Sequence, residues 1–331
     1  PSPHPSSTLD NSHSDGPRLA PTTIGGIARQ LGPGLIITAG IVGSGELIVT
    51  PKLGASAGFT LLWFIIVGCV LKVFIQIELG RTTLSRGTTT LETMNLVPGP
   101  RVVVSWLLWL WLIMFAATVF QVAGMLGGLA SIVSLAGLNV SKPVIAVAIG
   151  IGTAVLLVAG RYKLIEAAST WMVVAFTACT IAAVVALQFT SFAITPQNLV
   201  EGFSFQLPSS FTIAFAAFGI IGVGASELIY YPYWCLEKGY ARHVGKPDGS
   251  AAWGERARGW MKVMRADAWV SCVVYTGATL AFYLLGAAVL HAKGLDVTDA
   301  DMILTLAQMY EQTFGAWSLP LFLVGAAVVL Y

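Results

Sequence analysis

Charge is what this sequence has least of. Asp, Glu, Lys and Arg together make up 10% of its 331 residues, where soluble domains carry roughly a quarter. A chain this poor in charge, 56% hydrophobic and with a mean hydropathy of +0.78, does not fit the soluble globular classes. It points to a protein that crosses a bilayer several times. The net charge of +2 leaves no excess for a polyanion, so no nucleic-acid partner is implied. Histidine and cysteine are scarce as well, with four of each. Cys69, Cys179, Cys235 and Cys272 form no CxxC pair, and they read as buried inert thiols, not as a disulfide framework or a metal cluster. His4, His13, His243 and His291 all avoid the centres of the apolar segments, which argues against an imidazole metal site inside the membrane. With no Ser/His or Cys/His set and no catalytic-zinc spacing, neither enzyme chemistry nor a resident cofactor is expected.

The chain has no initiator Met and stops at Tyr331 within an apolar stretch, and the expectation is a piece of a longer protein. Residues 1–23, rich in Pro, Ser, Asp and His, read as a disordered tail with no signal peptide, ahead of a transmembrane domain over 24–331. A bilayer core needs about 20 apolar residues per helix. Eight stretches qualify, at about 32–56, 58–82, 102–137, 142–160, 164–190, 210–235, 263–291 and 312–331. With the N-terminus in the cytoplasm, nearly all of the 18 Lys and Arg fall on the inner side. The exceptions are Lys142 and Lys293 outside and Lys52 and Lys72 within segments. This bias sets the orientation. The basic stretch 238–265 then reads as an inner loop, and 291–311, with Asp296, Asp299, Asp301 and Glu311, as an outer one.

Within this apolar background two short stretches are out of place. Residues 40–51 read GIVGSGELIVTP and residues 222–232 read GVGASELIYYP. With Glu46 laid on Glu227, Gly43, Leu47, Ile48 and Pro51 fall on Gly224, Leu228, Ile229 and Pro232. The first lies in segment 1, running outward, and the second in segment 6, running inward. The expected fold class is therefore an all-α polytopic membrane protein with an inverted five-helix repeat and discontinuous helices 1 and 6, a first repeat over about 31–190 and a second beginning near 209 and cut short. Glycine and small residues favour breaks, and Pro51 and Pro232 remove a helix hydrogen bond. Glu46 and Glu227 both fall near mid-depth, where a lone acid costs about 2.5–3.5 kcal/mol. Two readings follow: an ion or proton site, or carboxylates that accept from the free N–H groups of the opposite broken helix. As ligands, Gly43, Ser44, Glu46, Ile221, Gly224, Ser226 and Glu227 offer hard oxygens suited to Mg²⁺, Ca²⁺ or Mn²⁺, with no thiolate, thioether or imidazole in competition. Two neighbouring carboxylates could also carry a coupling proton. Lys72 either pairs with one of the two acids or lies beside Gln76. Glu78 with Arg81 reads as a structural pair, and Glu166 and Asp267 as interfacial groups opening their helices.

Leu31 to Gly34 (LGPG), the glycine-rich break after it and Arg161 to Thr170 (RYKLIEAAST) resemble the NRAMP metal-ion transporter family, in a divergent branch, from about Leu31 to Tyr331. The resemblance implies a LeuT-like fold with 11 or 12 membrane helices, of which about 8 are covered here. It also implies movement of Mn²⁺, Fe²⁺ or related ions with protons, some relatives taking Mg²⁺ or Al³⁺. The family's first-helix Asp-Pro-Gly-Asn is matched here by Gly43-Ser44-Gly45-Glu46, and its sixth-helix Met-Pro-His by Gly224-Ala225-Ser226. A ligating backbone carbonyl maps to Ile221. Loss of the thioether and gain of acids shift preference toward harder ions. The expected function is a secondary transporter of Mg²⁺ or Mn²⁺ in the plasma or inner membrane, with the bilayer and the ion as partners. The alternatives are a Na⁺- or H⁺-coupled carrier of a small organic solute on the same fold and a non-transporting sensor.

Overall fold

The computed structural model describes residues 16–42, 46–138, 140–158, 162–206, 215, 218–219, 221–295 and 302–331. The described chain is helical, apart from a two-residue antiparallel ribbon of β1 (Arg101–Val102) and β2 (Val104–Ser105). The helices are α1 (Ile24–Gln30), α2 (Pro33–Ile41), α3 (Val49–Ala57), α4 (Leu62–Arg86), α5 (Thr90–Asn95), α6 (Trp106–Leu135), α7 (Lys142–Val158), α8 (Tyr162–Leu187) and α9 (Pro196–Gly202). They continue as α10 (Ala225–Glu237), α11 (Tyr240–Val244), α12 (Ala251–Leu285, passing into a wider π turn over Gly286–His291), α13 (Met302–Phe314) and α14 (Ser318–Leu330). Among the described residues, Leu62–Arg86, Trp106–Leu135 and Ala251–His291 are long and apolar enough to cross a membrane.

The first expected segment is two helices, because the chain leaves the α-helix between Ile41 and Val49. Pro51 does not kink α3. It occupies the first turn, where its missing N–H has no intrahelical partner to lose. Pro232 does lie inside α10, and Thr90 in α5 donates its hydroxyl to the Ile229 carbonyl one turn earlier, at 3.2 Å. The central element is α12, which packs against α2, α3, α4 and α8 and buries Trp260, Tyr275, Phe282 and Tyr283. By contrast α6 exposes Trp109, Ile113, Phe115 and Phe120, an apolar surface suited to lipid.

Three expectations need correction. The basic stretch 238–265 is not a plain loop, since α11 and the first four turns of α12 lie in it. Those turns carry polar residues and so escape a hydropathy window. The stretch 291–311 contains most of α13, which buries Ile303, Leu306, Ala307 and Tyr310. These stand at i, i+3, i+4 and i+7, so helical periodicity marks the element where mean hydropathy does not. Asp296, Asp299 and Asp301 lie outside the described residues. Residues 16–23 are held as well. Arg18 donates its backbone N–H to the His243 carbonyl at 2.9 Å and accepts from the Trp260 indole N–H at 2.9 Å. Residues 1–15 are outside the described set.

The contact of α3 with the end of α12 is backbone against backbone. A Cβ on Gly54 would stand 2.5 Å from the Tyr283 carbonyl oxygen and 2.7 Å from the Ala287 nitrogen, and one on Gly286 would meet the Pro51 backbone. Neither neighbour can yield without moving a helix. Gly54→Val is therefore expected to destabilise the protein by about 1–3 kcal/mol or more. Gly277→Ala in α12, where a Cβ meets nothing within 4 Å, is expected to leave thermal stability in detergent unchanged or raised.

Candidate functional site

Two interrupted backbones meet at Glu46. Its Oε1 accepts the Gly222 N–H at 2.7 Å and the Thr279 hydroxyl of α12 at 2.6 Å, and its Oε2 accepts the Thr50 hydroxyl of α3 at 2.5 Å. The side chain is 0% exposed. Glu46 thus ties the break after α2 to the stretch before α10 and to the central helix. Of the two readings open for this residue, the geometry matches a carboxylate that accepts from the opposite broken helix. Gly222 has φ 65°, and a Cβ there would stand 2.7 Å from Cys69 Sγ. Glycine is required on both counts, because a side chain would be strained and would not fit.

Lys72, 4% exposed on α4, donates its Nζ to the Ile221 carbonyl at 2.6 Å and lies 4.9 Å from the centroid of the Phe218 ring. It pairs directly with neither acid. The carbonyl expected to ligate a metal is occupied by this ammonium group. Asp267 is not interfacial. It is 1% exposed and accepts the Gly32 and Gly34 N–H groups at 2.9 and 2.7 Å and the Tyr231 hydroxyl at 3.1 Å. It caps α2 from α12, satisfying N–H groups that a helix start leaves free. Glu78 and Arg81 do form the expected pair, at 2.8 and 2.5 Å. Both are more than half exposed, so the pair adds little stability. Of Glu166, only its place in the first turns of α8 is described.

Glu227 is placed differently from Glu46. It stands in the first turn of α10, accepts the Ser226 hydroxyl at 2.9 Å, and folds back over Gly224, where a Cβ would collide with its carboxylate. A negative charge is favoured at this helix start. Glu227, Ser226, Gly224 and Gly222 line a cavity of about 480 Å³, bounded by Ile41, Ile48 and Val49 on the other broken helix. Glu227 is the one carboxylate lining it among the described residues. The remaining wall is α6, contributing Met114, Thr118, Gln121 and Met125. The expectation that no thioether competes for the site is corrected by these two methionines. They lie far from both motifs in sequence, and only their spacing on one helix face relates them. Gly43 and Ser44 fall outside the described residues. Among the described residues no group of three or more His, Cys, Asp or Glu side chains is gathered as metal ligands.

These features define a helical membrane protein whose interrupted helices border an internal cavity. Residues 34–328 match the family described as natural resistance-associated macrophage protein-like (Nramp), and the chain belongs to that family, whose members are integral membrane proteins. It is also similar to PM0681, an uncharacterized protein of Pasteurella multocida (strain Pm70), with 26% identity over 298 residues. That match covers 87% of this chain and 63% of the relative, so the chain spans somewhat less than two thirds of the relative's length.

The two glutamates should separate by measurement. Glu46→Ala leaves the buried Gly222 N–H and the Thr50 hydroxyl without their acceptor, while the Thr279 hydroxyl keeps the Tyr275 carbonyl at 2.8 Å, and is expected to destabilise the protein by about 2–5 kcal/mol. Glu227→Ala, which removes a half-buried group bonded to its own neighbour, is expected to change thermal stability by less than about 1 kcal/mol.

Proposed function

We propose that this chain is the core of a secondary transporter for a hard divalent cation of the Mg²⁺ or Mn²⁺ class. The cation enters the cavity between the two broken helices and is held by Glu227, by Ser226 and by backbone oxygens at the start of α10. The observation that carries this reading is the placement of Glu227: a carboxylate lining a cavity of about 480 Å³, at a helix interruption, in a chain of the Nramp family. A carboxylate and hydroxyl offer oxygen ligands, and the volume leaves room for a cation that keeps several waters, as Mg²⁺ does. Met114 and Met125 favour Mn²⁺ over Mg²⁺ within this class, because thioether sulfur is a soft ligand.

The two interruptions, at 47–48 and at 221–224, support a LeuT-like inverted repeat with alternating access around the cavity. In this arrangement Glu46 is the fixed joint. The N-terminus lies in the cytoplasm, and the protein resides in the plasma or inner membrane.

A second reading, an organic solute coupled to Na⁺ or H⁺, is favoured by one observation. The cavity walls are mostly apolar, with Ile41, Ile48, Val49 and Ala117 among them. Small-molecule sites have this character.

Uptake into proteoliposomes separates the two. Mn²⁺ or Mg²⁺ should accumulate in vesicles with the wild-type protein, and Glu227→Gln should reduce the rate by about tenfold or more. Absence of divalent uptake together with accumulation of an amino acid or similar solute favours the second reading.

A further inference from the structure

Two neighbouring helices change from apolar to charged at the same height, on faces turned away from the cavity. The contact between α4 and α12 runs antiparallel. The Cys272 thiol reaches the Cys69 carbonyl at 3.9 Å, Phe74 packs edge to face on Trp269 with ring centroids 5.7 Å apart, and Gly80 lies against Met264. Each helix presents one exposed stripe with a spacing of three or four residues. On α4 it runs Leu71, Phe74, Glu78, Arg81, and on α12 it runs Lys262, Arg265, Trp269, Val273. The Phe74–Trp269 pair, 54% and 40% exposed, marks the changeover on both helices. Toward Leu71 and Val273 the surface is apolar, and toward Arg81 and Lys262 it is charged. Glu78 is held by Arg81, whereas no carboxylate stands three or four residues from Lys262 or Arg265. Of the two acids in α12, Asp267 is buried under α2 and Glu255 stands three residues from Arg258.

We propose that this α4–α12 face binds one anionic phospholipid, its phosphate held by Lys262 and Arg265 and an acyl chain laid along Leu71, Phe74, Trp269 and Val273. The inference rests on the chain being a membrane protein and not on which solute the cavity takes. Exposed aromatic side chains at an apolar-to-charged boundary mark the level where hydrocarbon meets headgroups. Arg265 stands about 6 Å past that level along the helix, within a headgroup layer of about 5–8 Å. Lys262, about 10 Å past it, reaches the same layer with its long alkyl stem. A zwitterionic lipid brings its own cationic group with the phosphate, and two side-chain cations without a neighbouring carboxylate disfavour it. An anionic lipid brings none, and each Lys or Arg near the membrane surface adds to its attraction. A water-soluble acidic partner would meet the charges but leave Phe74, Trp269 and the apolar stripes bare, so the continuity of the two surfaces selects a lipid. On the orientation proposed above, this end of both helices is cytoplasmic.

The test is quenching of Trp269 fluorescence, with the full chain in nanodiscs, by phospholipids brominated on their acyl chains. The Trp269 signal is the difference between the wild type and Trp269→Phe. Brominated phosphatidylglycerol is expected to quench that signal at a mole fraction about tenfold lower than brominated phosphatidylcholine. In Lys262→Gln/Arg265→Gln the two lipids are expected to quench at equal mole fractions. Lys246→Gln, which removes an exposed positive charge outside the α12 stripe, is expected to keep the tenfold difference. Melting temperatures confirm that each variant is folded. If the double variant does not fold, the two single variants carry the test, each lowering the preference to about threefold. A wild type that takes both lipids equally, or shows no quenching of Trp269 by either, overturns the inference. So does a double variant that keeps the preference, which would then belong to the overall charge of the inner face. Loss of the wild-type preference on adding glycerol phosphate at constant ionic strength points to a free-anion site and overturns it as well.

Discussion

A carboxylate buried inside a membrane protein must be met by donors, and Glu46 is met by Gly222, Thr279 and Thr50. Much of the described architecture depends on that interaction. It links α3, the stretch before α10 and the central helix α12 at one point, and it satisfies a backbone N–H that an interrupted helix exposes. Irregular backbone at such a depth is tolerated only where protein or an internal cavity meets its polar groups. Two further contacts do similar work nearby. Asp267 receives the free N–H groups at the start of α2, and Lys72 donates to the carbonyl of Ile221. Each of the three buried charged side chains closes a backbone polar group, so both broken segments are held by charge-assisted hydrogen bonds.

Once Glu46 is committed in this way, the two glutamates of the duplicated motif are no longer equivalent. They hold matching positions in sequence but different places in the fold. One is enclosed by donors from three elements, and the other sits at a helix start facing open space. The difference arises from what packs on each. Thr279 and the Gly222 backbone cover Glu46, whereas the side of Glu227 faces a cavity walled by α6. The close approach of α3 to α12, allowed by Gly54 and Gly286, keeps Thr50 and Thr279 within reach of the same carboxylate.

The apolar composition was enough to locate the three described helices that are long and apolar enough to cross a membrane, and the glycine-rich motif marked the end of α2. The duplicated motif also led to the backbone pairing at Gly222. Three things were not legible. Long polar turns continue α12 beyond its apolar span, and hydropathy ends an element where the apolar residues end. The amphipathic α13 carries its signal in periodicity. The α6 wall of the cavity depends on tertiary packing, which brings Met114 and Met125 opposite Glu227's helix although no local pattern links them. The role of Ile221 changed for a similar reason, because its carbonyl is taken by a lysine about 150 residues away in sequence.

The central claim is that Glu46 is the joint and Glu227 the ligand. The most direct measurement is a crystal structure of the full chain soaked in Mn²⁺, read by anomalous scattering. A peak within coordinating distance of the Glu227 carboxylate, on the cavity side of α10, with Glu46 still bonded to Gly222, is the predicted result. A peak centred on the Glu46 carboxylate, or no peak in the cavity at saturating Mn²⁺, would contradict it.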